Sequence, residues 1–248
     1  MKKNYETGHA KNVENFSKLN EIVISFGGKY APSDVRLQPS NLNAVKTAAV
    51  AALETVNVAN PPFLQALSRR ETAFDGIPKL ASRALAIAET LHLDPATINA
   101  LKELVRKLYG RRAAPKKVVP QNPDAEVTGK EHKYISVSQL SFDQRIEHFS
   151  QFVDVLAAEP AYQPAEQDLR VDSFSSRLAE MRASNTVVTQ VSIPLANARN
   201  NRNTILYAPL TGLVDVALDV KKYVRAAFGD KSIEYTEIKG IEFTRPKS

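Results

Sequence analysis

Tyr30, Leu37, Leu42, Pro62 and Arg70 are followed in the second half of the chain by Tyr162, Leu169, Phe174, Pro194 and Arg202 at identical steps. Spacing kept over so long a stretch marks an internal repeat. A repeat constrains the fold more than composition does, because one architecture has to serve both copies. Asn15-Phe16-Ser17 also matches His148-Phe149-Ser150. Further on, "LKELVRKLYG" (101–110) returns as "VKKYVRAAFG" (220–229), with Lys102, Val105, Arg106 and Gly110 set against Lys221, Val224, Arg225 and Gly229. A last shared piece follows each copy. Tyr134, Val137, Leu140 and Phe142 in "YISVSQLSFD" have the spacing of Tyr235, Ile238, Ile241 and Phe243 in "YTEIKGIEFT".

The apolar pattern within each copy is helical. Val13, Phe16, Leu19, Val23 and Phe26 fall on one face, as do Ile146, Phe149, Phe152 and Leu156. A longer stripe runs from Leu42 through Val45, Ala49, Ala52, Val56, Phe63, Ala66 and Arg70 to Ala73. It keeps its phase across Pro61-Pro62, which predicts one long helix with a proline kink or two nearly collinear helices. Pro194 repeats the feature. Asp94 and Pro95 read as a cap and first helical turn, and Gly110 and Gly229 as C-terminal stops. Gly27-Gly28 reads as the end of the first helix rather than a phosphate cradle.

The expected class is mostly α: two homologous antiparallel helical bundles in tandem, each followed by a short extended or β tail. The boundaries are helical lobe 1 over 1–110, a basic flexible spacer over 111–133 and the first tail over 134–143. Lobe 2 covers 144–229 and the C-terminal tail 230–248. With 248 residues and only 9 glycines, two modest helical lobes fit the length and the composition.

Several function classes lose their support. There is no cysteine, so disulfides, thiolate metal sites and cysteine nucleophiles are excluded. His9, His92, His132 and His148 lack metal-ligand spacing, so no metal and no cofactor are expected. No glycine-rich phosphate loop or nucleophile elbow occurs, and no pair of carboxylates stands out as acid and base, so the chain reads as a non-enzyme. The opening "MKKNYETGHAKNVENF" has no apolar leader core, and no window is apolar enough to span a membrane, which leads to the expectation of a cytoplasmic protein.

A net charge of +6 directs attention to anionic partners. The candidate anion-binding residues are Lys102, Arg106, Arg111, Arg112, Lys116 and Lys117, with Lys221 and Arg225 in the second copy. Against this stands the ordinary role of cations near a helix C-terminus, which complement the helix dipole. Arg70 and Arg202 lie on the apolar stripe, where a guanidinium needs a local partner, and "NARNNRN" (197–203) sets amides beside the second of them.

With "ETGHAKNVENFSKL", "LANARNNRNTILYAPLTGLVDVALDVKKYVRAAFG" and "IKGIEFTR" in view, the chain resembles a bacterial family of duplicated helical-bundle proteins with no assigned activity. The resemblance implies the bundle-and-tail architecture and carries over no site residue. The leading functional expectation is a structural or protein-interaction protein that assembles through Tyr134, Val137, Leu140, Phe142, Tyr235, Ile238, Ile241 and Phe243. The partner would be another copy or another protein. The alternative is a basic helical protein associated with nucleic acid.

Overall fold

A computed structural model describes residues 8–111 and 140–246. The elements in chain order are α1 (His9–Ser25), 3₁₀ turns Gly27–Lys29 and Val35–Leu37, α2 (Pro39–Phe74), α3 (Ile77–Thr90), α4 (Pro95–Leu108), α5 (Phe142–Ala157), a 3₁₀ turn Gln167–Leu169, α6 (Val171–Tyr207), α7 (Leu213–Phe228) and α8 (Ile233–Lys239). Among the described residues there is no β-strand. Local signals place several helix ends. The Asp94 carboxylate accepts from the Ala96 N–H at 2.8 Å with Pro95 behind it, and Gly110 adopts φ 67° just past α4. The helix α2 continues through Pro61 and Pro62, and α6 through Pro194, so the single-helix reading of the long stripe holds.

The chain forms two compact units. One consists of residues 1–65 and 189–248, the other of residues 66–188. Each unit therefore draws residues from both of the segments expected as lobes over 1–110 and 144–229.

In the discontinuous unit, Val13, Phe16, Leu19 and Val23 of α1 share a core with Leu213, Ala217 and Val220 of α7 and Ile238 of α8. Aromatic contacts tie the two halves: Tyr30 meets Tyr223 edge-on at 5.4 Å, and Phe26 lies 5.7 Å from Phe228. In the continuous unit, Phe149, Phe152 and Leu156 of α5 pack with Leu101 and Leu108 of α4 and with Phe174 and Met181 of α6. Each such buried side chain contributes about 1.5–3 kcal/mol relative to exposure.

The partner of α7 is a further departure. The sequence match sets α7 against α4, but burial sets it against α3. Ile77, Ala81, Ala84 and Ala88 are buried at the steps of Leu213, Ala217, Val220 and Val224. Gly76 and Gly212 stand as N-caps, and α3 meets the turn Gln167–Leu169 as α7 meets Val35–Leu37. The resemblance of residues 101–110 to 220–229 reflects the generic surface of an amphipathic helix, which several helices of one bundle share. Gly212 has a specific reason to be glycine. A Cβ there would lie 2.6 Å from the Ala208 nitrogen and 2.7 Å from its carbonyl oxygen, both backbone atoms that cannot swing aside.

The extended or β character expected of residues 230–248 is corrected over its first half, where Ile233–Lys239 is helical. Ser232 caps this helix, its hydroxyl accepting from the Tyr235 N–H at 3.1 Å. Tyr235, Ile238 and Ile241 step by threes, a spacing that keeps side chains on one helical face but alternates them across a strand. Residues 241–246 lie outside regular structure. In the first tail, Phe142 opens α5 behind the Ser141 cap, Leu140 is exposed, and Tyr134 and Val137 fall outside the described residues.

Candidate functional site

The C-terminal segment is fastened to α1 by side-chain amides. Asn12, 2% exposed, accepts from the Thr244 N–H at 3.0 Å through Oδ1 and donates to the Thr244 carbonyl at 2.7 Å through Nδ2. An asparagine so placed supplies the donor and acceptor that a neighbouring strand would. One turn along the helix, Asn15 donates to the Glu242 carbonyl at 2.7 Å. Ile241, just before these polar anchors, inserts into the core, and Phe243 between them packs against it half-buried.

Residues of α6 and α7 complete the clasp. The Tyr207 hydroxyl accepts from Asn12 Nδ2 at 3.2 Å and lies 2.8 Å from His9 Nδ1. Burial, with a lesser push from the nearby Arg202, lowers the His9 pKa. Arg245 pairs with Asp215 at 2.5 Å and donates to the Tyr207 carbonyl at 3.1 Å. The amide donated by Leu210 and the Arg245 guanidinium hold the Asp215 carboxyl below the usual range.

The expected cationic ridges are not equivalent. Lys102 pairs with Glu89 at 2.8 Å, while Arg106 pairs with Glu103 at 2.7 Å and donates to the Arg111 carbonyl at 2.6 Å. The Arg111 guanidinium stacks 4.6 Å over the Tyr109 ring. Lys221 instead serves the clasp, donating to the Lys239 and Ile241 carbonyls, each at 2.9 Å, and burial lowers its pKa. Arg225 pairs with Asp230 at 2.6 Å. Lys102, Arg106, Arg111, Lys221 and Arg225 thus each have a partner within the fold, and Arg112, Lys116 and Lys117 lie outside the described residues.

Arg70 finds its partners as a stripe arginine must. Its guanidinium sits 3.8 Å above the Phe142 ring and donates to Asn185 Oδ1 at 3.3 Å, while its buried Nε has no partner. Arg202 donates to its neighbour Asn203 Oδ1 at 2.8 Å, and burial lowers its pKa.

Two clefts are notable. In the discontinuous unit a groove of about 600 Å³ is lined by Val58, Ala59, Pro62, Val191 and Pro194, with Glu54 and Gln190 at its rim. In the continuous unit a cleft of about 580 Å³ is lined by Asp75, Asp168, Ser173 and Arg177 among others. There Arg177 is occupied with the Thr72 and Asp75 carbonyls, at 3.0 and 3.2 Å. No helix of the described residues is long and apolar enough to cross a membrane, and no group of three or more potential metal ligands gathers among them.

The clasp residues Asn12 and Asn15 are absent from the sequence-level candidates, although the signal existed. Asn12 and Asn20 fall on the same stripe as Phe16, where an amide is buried only with partners. Asn20 meets Asn43 at 2.7 Å. Compared with models of protein families, with curated proteins and with solved structures, the chain matches none.

Proposed function

We propose that the protein is a non-catalytic structural or interaction protein that self-associates, residues 189–248 of one copy completing residues 1–65 of another. The observation that carries this reading is the Asn12–Thr244 clasp within a unit made from two separated stretches of chain. Its contacts are supplied by segments that any second copy also carries, so exchange between copies preserves every one of them. The residues named in the sequence expectation enter unequally. Ile241, Phe243 and Ile238 belong to the closing surface, while Phe142 serves its own unit against Phe74 and Arg70.

The test is light scattering coupled to size-exclusion chromatography, on nuclease-treated protein before and after refolding at low and high concentration. Species larger than one copy, growing with refolding concentration and lost when residues 241–248 are deleted, are expected. A chain that stays monomeric at every concentration and after every refolding overturns the proposal.

A further inference from the structure

Arg36 and Asp168 occupy the same place in two matching turns. The Tyr30 hydroxyl donates to the Leu37 carbonyl at 2.8 Å, and the Tyr162 hydroxyl donates to the Leu169 carbonyl at 2.9 Å. Arg36 immediately precedes Leu37, and Asp168 immediately precedes Leu169. Arg83 and Asp219 likewise stand at one place in α3 and α7, each between matched buried residues: Ala81 and Ala84 in α3, Ala217 and Val220 in α7.

These positions meet across the repeats with reversed polarity. In the discontinuous unit the turn supplies the cation, Arg36, 3.6 Å from Asp219 on α7. In the continuous unit the turn supplies the anion, Asp168, 2.5 Å from Arg83 on α3. Arg36 is aimed by its neighbours: Asp34 holds it at 2.6 Å, and the Leu210 carbonyl accepts from it at 2.6 Å. The other charged group on Asp219 is Lys222, 3.0 Å away on the same helix.

We infer that Arg36, Asp219, Arg83 and Asp168 form a charge code that makes each turn select the helix of the opposite repeat. Pairing within a repeat would set Arg36 against Arg83 and Asp168 against Asp219, like charge on like charge. An exposed ion pair contributes little by itself. Choice between two similar apolar surfaces is a difference, however, and here it counts two attractions kept and two repulsions avoided. The code fits any copy of the opposite half-repeat, within one chain or between chains. It goes beyond the self-association reading, and a strictly monomeric chain leaves it standing.

The absence of cysteine makes the test direct. Val35→Cys with Leu218→Cys reports pairing across repeats, and Val35→Cys with Ser82→Cys reports pairing within a repeat, each read as bis-maleimide cross-linking after unfolding and refolding. With native charges, the cross-repeat product is expected to dominate by at least about tenfold, a free-energy difference of the order of 1.4 kcal/mol. Arg36→Asp with Asp219→Arg gives both units the same polarity, and the within-repeat product is expected to rise severalfold. Adding Asp168→Arg and Arg83→Asp restores opposite polarities and the original pattern. Arg36→Asp alone is expected to shift the products the same way, which keeps the test open should the double variant fail to refold. Product ratios unchanged by these substitutions overturn the inference.

Discussion

Asn12 and Thr244, separated by almost the whole chain, hold one another by two hydrogen bonds, one donated by the Thr244 N–H and one by the Asn12 side-chain amide. The pair turns an extended segment without a strand partner into a fixed part of a helical unit. Its energetics rest on the burial of Asn12, since an unmatched amide there is poorly reached by water.

Asn12→Ala is expected to lower stability by about 1–3 kcal/mol, because it leaves the Thr244 N–H and carbonyl without protein partners. Urea denaturation measures the loss. Amide exchange should show residues 241–245 losing protection first, with the continuous unit little changed.

Tyr30 and Tyr162 make the same buried hydroxyl bond in different units. Tyr30→Phe and Tyr162→Phe should each cost about 1 kcal/mol, adding nearly independently in the double variant. A combined loss larger than the sum in urea titration would indicate energetic coupling between the two sites.

Burial also pushes the phenol of Tyr162 up to about 12 and that of Tyr30 further, from an ordinary value of 10.0. The unfolded chain then releases these protons before the folded chain does, so stability is unaffected below about pH 10 and falls as pH rises beyond it. Urea midpoints from about pH 9 to 11 should show this decline, reduced in the Phe variants.

His148 has two buried ring nitrogens without hydrogen-bond partners. Its pKa is lowered chiefly by burial and then by Lys107, against the opposing carboxylate of Glu147. A folded pKa below the ordinary 6.5 means that the unfolded chain takes up the proton first. The stability associated with neutral His148 is therefore present above that value and lost as pH falls through the folded pKa. Replacing His148 with Leu should flatten the acid side of the stability profile, measured as urea midpoints between about pH 4 and 7.

Arg70→Ala removes both the stacking on Phe142 and the bond to Asn185. A loss of about 1–2 kcal/mol is expected. A double-mutant cycle with Phe142→Leu should give about 0.5–1 kcal/mol of coupling, the part owed to the cation and ring. A coupling of zero would assign the role of Arg70 to the amide alone.

Helical class, the long unbroken stripe and the Asp94 and Gly110 boundaries were determined by sequence alone, because periodicity, caps and stops act within a few residues of themselves. Of the matching turns around Leu37 and Leu169, the sequence carried only the common spacing from Tyr30 and Tyr162; the turns and their hydroxyl bonds came from the structure. Tertiary structure decided which half-repeats share a core. The apolar periodicity is alike in both copies, and contacts such as Arg83–Asp168 and Asn12–Thr244 join residues far apart in the chain, which local sequence does not foretell. It also decided the fate of the cations. Lys102 and Lys221 fall at matching places in two similar stretches of sequence, yet the first pairs with Glu89 while the second is drawn under the C-terminal segment by carbonyls that only folding brings near.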